Sequence, residues 1–136
     1  MTRQTAIQRL FVTWCIGGLA LLVLVALQVV GGKYGNDEIA AWAWLLGIVV
    51  APLSILGTAA FVDPTATWRN AAANQFKYRM AFAFSVVMIA LALFTLMGEP
   101  LIRMSTYDVF TRTGVPISLL QGLLMAAIGA VVFDRR

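Results

Sequence analysis

Four stretches of this chain, residues 10–30, 39–62, 80–97 and 116–133, contain no Asp, Glu, Lys or Arg. Crossing about 30 Å of hydrocarbon takes about 20 helical residues at roughly 1.5 Å each. The helix is obligatory there, because a backbone amide with no water beside it must be bonded within its own segment. A soluble helical bundle would need one polar face on each helix, and these stretches are apolar all round. The remaining composition agrees: 61% of the chain is apolar and 12% charged, roughly half the charge of a soluble protein. The expected fold is all-α, a single polytopic domain of four transmembrane helices.

Thr2, Arg3 and Arg9 precede the first run much as the charged start of a signal peptide would. That run is too long for an ordinary signal peptide, and no small-x-small cleavage site follows it before Lys33 and Tyr34, so it is read as a span. Cations fall between the runs. With the N-terminus in the cytoplasm, Arg3, Arg9, Arg69, Lys77, Arg79, Arg135 and Arg136 lie inside and Lys33, Arg103 and Arg112 outside. This asymmetry favours both termini cytoplasmic. The net charge of +4 then concerns orientation and lipid headgroups, and nucleic acid is not an expected partner. Tyr34, Trp42 and Trp44 are placed to anchor one interface and Trp68 and Tyr78 the other.

Between the spans, Gly31, Gly32 and Gly35 end the first helix, and Asn36 or Asp37 can cap the second, which makes an antiparallel hairpin. Asp63 followed by Pro64 reads as a cap and a first-turn proline. With no further breaker before Arg79, the spacing predicts a cytoplasmic helical extension over about 64–79 that runs unbroken into the third span. On it Trp68, Ala72 and Phe76 recur at i, i+4 and i+8, beside a stripe carrying Arg69 and Lys77. That face is either a helix resting at the headgroups or a stalk packing on a cytoplasmic protein partner or a second copy. Residues 99–115 carry Pro100 at one end and Gly114 with Pro116 at the other, which reads as a short interfacial connector.

The spans lack a mid-membrane charge of the kind that marks transporters and proton relays. Their polar groups are Thr13, Gln28, Ser54, Thr58, Ser85, Thr95, Ser118 and Gln121. Hydroxyls in membrane helices usually bond the carbonyl four residues back. An amide needs a partner elsewhere, and Gln28 and Gln121, placed at similar depth, could pair within or between subunits. Gly122, Ala126 and Ala130, widened by Gly129, form a small-residue stripe suited to close helix packing and self-association. Gly17, Gly18 and Gly47 read as flexible points, and Pro52 should kink the second span.

Histidine is absent and Cys15 stands alone. His-ligated haem or zinc, an internal disulfide and a Ser-His or Cys-His pair are thereby excluded within this chain. No phosphate-binding glycine loop or metal-ligand cluster stands in the sequence, so no cofactor and no enzymatic activity are expected.

The stretch Trp42, Trp44, Leu45 and Leu46 through Pro52, Leu53 and Ser54 resembles a W-x-W-L-L…P-x-L-S-L pattern in small multi-span membrane proteins of bacterial conflict systems. Those proteins accompany caspase-like or NTPase components, so the resemblance implies a membrane effector or anchor in the bacterial inner membrane. The chain departs from the four-span multidrug exporters, having no glutamate in its first span. It also lacks the arginine and asparagine signature of dual-topology fluoride channels. The leading expectation is a non-enzymatic oligomeric membrane protein that forms or gates a pore or serves as the membrane subunit of a larger complex. A small transporter of neutral or lipophilic molecules stands second. An enzyme acting on lipids, with Asp63 and Arg69 or Lys77 at its centre, stands third.

Overall fold

The computed structural model describes residues 1–61, 71–98 and 106–133. It is a bundle of four helices: α1 Arg3–Val30, α2 Glu38–Phe61, α3 Gln75–Gly98 and α4 Thr106–Val132. All four are long and apolar enough to cross a membrane.

Thr2 starts α1 with extended backbone geometry, its hydroxyl accepting from the Thr5 amide at 3.3 Å. The helix stops in a Schellman arrangement. Gly32, at φ +71°, turns the chain left-handed, so that its amide reaches the Val29 carbonyl at 2.9 Å and the Lys33 amide reaches Gln28 at 3.0 Å. A side chain at that φ would crowd its own carbonyl, which is why glycine stands there. A single 3-10 turn, Gly35–Asp37, then leads into α2.

Packing fixes the directions. Phe11 near the start of α1 meets Phe61 at the end of α2 edge-on, with ring centres 5.8 Å apart, so these helices are antiparallel. Trp14 bonds Ser85 and Gln28 bonds Leu96, so α1 and α3 run parallel. Trp44 stacks on Phe110 and Gly47 accepts from Gln121, so α2 and α4 run parallel. The start of α1 and the end of α4 therefore lie at one end of the bundle, called the near end here, and the turn between α1 and α2 lies at the far end.

Leu10, Trp14, Leu21, Leu45, Met88 and Leu124 fill the interior, each with no exposed surface. Between 28% and 33% of the residues in each apolar window are buried, so most of each window faces outward. Those outward positions include Ile16, Leu27, Phe94 and Leu119, each 66–70% exposed. A bundle apolar on its outside as well as its inside is stable only where its surroundings are apolar.

Three expectations need correction. The third span is not entered by an unbroken helix. Among the described residues of the expected extension, 71–74 are non-helical and α3 begins at Gln75. Asn74 caps it, its side-chain oxygen accepting from the amides of Phe76 at 3.0 Å and Lys77 at 3.4 Å. The residues before it pair antiparallel with the N-terminus, through Arg3 N–H to the Ala71 carbonyl and Ala73 N–H to the Met1 carbonyl, both at 3.0 Å. Residues 64–70 of that extension lie outside the described residues.

The fourth helix starts at Thr106 and not at Pro116, which sits inside it. Pro116 lacks an N–H for the carbonyl four residues earlier. The neighbouring Thr113 and Ser118 hydroxyls donate to the carbonyls of Val109 and Gly114 at 2.7 Å, and α4 continues through the proline.

Gly17 and Gly18 are points of close approach within a regular helix and do not interrupt it. A Cβ on Gly17 would stand 2.5 Å from Ile89 Cδ1 of α3, and one on Gly18 would stand 3.0 Å from Val49 Cγ1 of α2. Pro52 is buried inside α2, which continues across it.

Candidate functional site

Within the hydrocarbon span three side chains, Trp14, Gln28 and Gln121, tie helix to helix. At the centre the Trp14 indole N–H donates to Ser85 Oγ at 3.0 Å, and the Ser85 hydroxyl donates to the Ala81 carbonyl at 2.8 Å. Both side chains have no exposed surface. An unmet indole N–H would be costly in this setting, and serine is small enough to reach it without opening the contact between α1 and α3. The other hydroxyls bond backward along their own helices: Thr13 to Arg9, Thr58 to Ser54, Thr95 to Leu91 and Ser118 to Gly114.

The two glutamines do not pair with each other in the chain. Gln28 donates to the Leu96 carbonyl at the end of α3, at 3.2 Å, and accepts from the Tyr34 hydroxyl. Lys33 Nζ reaches the same carbonyl at 3.0 Å. Gln121 donates to the Gly47 carbonyl of α2 at 2.7 Å, where the lack of a side chain leaves the carbonyl open to a neighbour.

At the far end Tyr34 and Trp44 both approach Phe110, at 6.0 and 5.0 Å between ring centres. Among the described residues Trp44 Nε1 is buried there with no hydrogen-bond partner. Trp42 is partly buried against the core.

The small residues of α4 are not used inside the bundle. Ile117, Leu124, Ile128 and Val131 face the core, whereas Ser118, Gly122, Ala126 and Ala130 are exposed on the opposite side, with Gly129 at the margin. Among the described residues, a Cβ built on Gly122 meets nothing within 4 Å. On the outward face this row of small residues lies beside the ridge made by Leu119 and Leu123, which are 70% and 57% exposed.

At the near end α1 and α3 flank an open groove of about 380 Å³. Thr5, Gln8, Arg9 and Tyr78 line its polar part, and Val12 and Phe82 its apolar part. Tyr78 and Phe82 are stacked at 6.0 Å. Nothing in the spacing of these residues marks the groove in the sequence, since it depends on α1 and α3 lying parallel and in register.

Of the expected cytoplasmic face, Ala72, Phe76 and Lys77 are described, and Ala72 is not helical. Ala72 lies in the paired segment before α3, Phe76 is 71% exposed in the first turn, and Lys77 beside it is half-buried. Trp68 and Arg69 lie outside the described residues. Among the described residues, no three His, Cys, Asp or Glu side chains come together to hold a metal ion.

Four apolar helices, a filled interior and an apolar outer surface define a multi-pass membrane protein. Compared with known families, curated proteins and solved structures, the chain matches none.

Proposed function

We propose that this chain is a non-enzymatic, self-associating integral membrane protein that forms or gates a pore between its copies, or supplies the membrane subunit of a larger complex. The observation that carries the reading is the α4 face. Gly122, Ala126 and Ala130 repeat at helical spacing, point away from the bundle and leave room for another helix to approach. In lipid no hydrophobic force drives helices together, so close van der Waals contact through small residues is the main drive to association. The interior supports the same reading, because Trp14, Leu21 and Met88 occupy the bundle axis. A conduction path would therefore run between copies, where apolar constrictions can gate by wetting and dewetting.

In this reading both termini face the cytoplasm of a bacterial inner membrane. The near end meets anionic headgroups and any cytoplasmic protein partner. The resemblance of the Trp42, Trp44, Pro52 and Ser54 stretch to membrane proteins of conflict systems supports reading the chain as a membrane effector of that kind.

Because Cys15 is the sole cysteine, Cys15→Ser gives a background in which Ala126→Cys can be cross-linked in native membranes. The reading expects cross-linked dimers with Ala126→Cys but not with Val23→Cys on the exposed face of α1. It also expects reconstituted protein to release a small dye from liposomes, and Gly122→Leu to reduce both signals. A chain that stays monomeric in mild detergent and leaves vesicles tight would overturn it.

A further inference from the structure

The groove at the near end straddles a chemical boundary. Arg9 is the last charge before the uncharged run of α1, and Arg79 the last before that of α3. The groove's polar residues, Thr5, Gln8, Arg9 and Tyr78, therefore sit at headgroup level. Val12 and Phe82 lie one turn deeper, level with the start of the lipid tails.

Among the described residues the Gln8 amide, the Arg9 guanidinium and the Tyr78 hydroxyl enter no hydrogen bond or ion pair. Three groups able to donate thus face one groove with their capacity unused. The apolar part continues outward along Ile16 of α1 and Val86 of α3, which are 66% and 45% exposed. Among the described residues the near end carries Arg3, Arg9, Lys77 and Arg79 and no acid, whereas Asp37, Glu38 and Asp108 all lie at the far end.

We propose that this groove binds one anionic phospholipid, its phosphate held by Arg9 with Gln8 and the Tyr78 hydroxyl, and one acyl chain lying along Val12 and Phe82. The guanidinium fork matches a phosphate's oxygens and carries the charge. The amide and the phenol supply further donors, and the Tyr78 and Phe82 rings form a wall for the first methylenes of the chain. A mere excess of surface cations would draw anionic lipid diffusely, to the whole near end and not to one place on it. The groove differs in joining its donors to an apolar wall at one depth, and it does so whether or not copies of the chain associate.

The test uses the full chain purified in mild detergent, exposed to phosphatidylglycerol, to phosphatidylcholine or to inorganic phosphate, with retained lipid counted by native mass spectrometry. One phosphatidylglycerol per chain should survive dilution, and phosphatidylcholine should not. Inorganic phosphate at millimolar concentration should fail to displace the lipid, since it has no chain for Val12 and Phe82. Arg9→Gln should weaken retention about tenfold, the usual scale for losing a charge-assisted hydrogen bond. Tyr78→Phe, which removes only the hydroxyl, should weaken it less. Arg79→Gln, an exposed cation outside the groove, should leave it unchanged, and circular dichroism should confirm that each variant folds. Equal retention of both lipids overturns the proposal, as does an Arg79→Gln loss as large as that of Arg9→Gln, which would mean diffuse attraction. Displacement by inorganic phosphate would also overturn it, in favour of a simple anion site.

Discussion

Ser85→Ala removes one oxygen from the centre of the bundle, and its cost can be worked out from the surroundings. The lost hydroxyl donates to the Ala81 carbonyl, which keeps its own helical partner, so that bond leaves nothing unsatisfied. The group left without a partner is the Trp14 indole N–H, 3.0 Å from the missing oxygen and with no exposed surface. In a water-soluble core an orphaned donor costs about 1–3 kcal/mol. In a membrane the unfolded reference state is also short of partners, and measured cross-helix bonds average about 0.6 kcal/mol with a ceiling of about 1.7 kcal/mol. Full burial of both partners sets the expectation in the upper half of that range, about 1–1.5 kcal/mol. The assay is reversible unfolding in mixed micelles of mild detergent and dodecyl sulfate, followed by circular dichroism. Trp14→Phe should cost more, about 2–4 kcal/mol, because it also leaves a cavity. In the Trp14→Phe background, however, Ser85→Ala should be nearly neutral, since no donor remains to be orphaned. The coupling between the two changes is the decisive quantity. If Ser85→Ala costs the same with and without Trp14→Phe, the bond contributes nothing and the reasoning is wrong.

Three further outcomes are expected in the same unfolding assay. Gly17→Ala should lose about 1 kcal/mol net, because the contact at 2.5 Å from Ile89 Cδ1 outweighs the better helix propensity of alanine. Ile89→Val, which deletes that methyl, should recover part of the loss, whereas Gly122→Ala should cost nothing in the monomer. Asn74→Ala should lose about 1 kcal/mol by uncapping α3 and speed amide exchange at Phe76 and Lys77, and Asn74→Asp should keep most of the stability. Trp44→Phe should be close to neutral, because Trp44 Nε1 has no bond to lose and a phenyl ring can keep the stack on Phe110. A loss from Trp44→Phe as large as that from Trp14→Phe would show that the indole nitrogen at the far end is engaged after all.

The four helices were legible because hydrocarbon leaves an uncharged run of that length no alternative to a helix. The breaks were harder to read, and for identifiable reasons. Pro116 beside Gly114 carries the marks of a connector in water. Membrane helices tolerate an internal proline better than that signal assumes, so it misplaces the start of α4 by ten residues. That error carried over to Gln121. Counted from residue 116 it lies near the end of its span beside Gln28, but counted from Thr106 it lies roughly four turns in, where Gly47 of α2 is the partner within reach. Ala71, Ala72 and Ala73 favour helix by intrinsic propensity. Their pairing with Met1 and Arg3 wins instead, and a contact across about seventy residues leaves no trace in local spacing. Asn74 did carry a readable signal, since asparagine is among the best helix caps, but a continuous helix through the alanines hid it. The link between Trp14 and Ser85 was half legible: a tryptophan in an apolar run needs an acceptor, and only the fold says which.

The distribution of polar groups constrains where any activity can reside. Inside the membrane region Trp14, Ser85, Gln28 and Gln121 are all committed to holding helices together, so rearranging the interior means breaking those bonds where no water can replace them. Such a bundle resists internal opening, which argues against a path that alternates access through its own core. Apart from the Trp44 indole N–H, what is left uncommitted lies on the outside: the small-residue face of α4, and the Arg9 groove at the near end. The two lie on different helices. A lipid in the groove between α1 and α3 therefore need not compete with a second copy docking on α4. If copies do associate, lipid occupancy at the groove and contact at Ala126 should vary independently, and a dependence of one on the other would place both on a single interface.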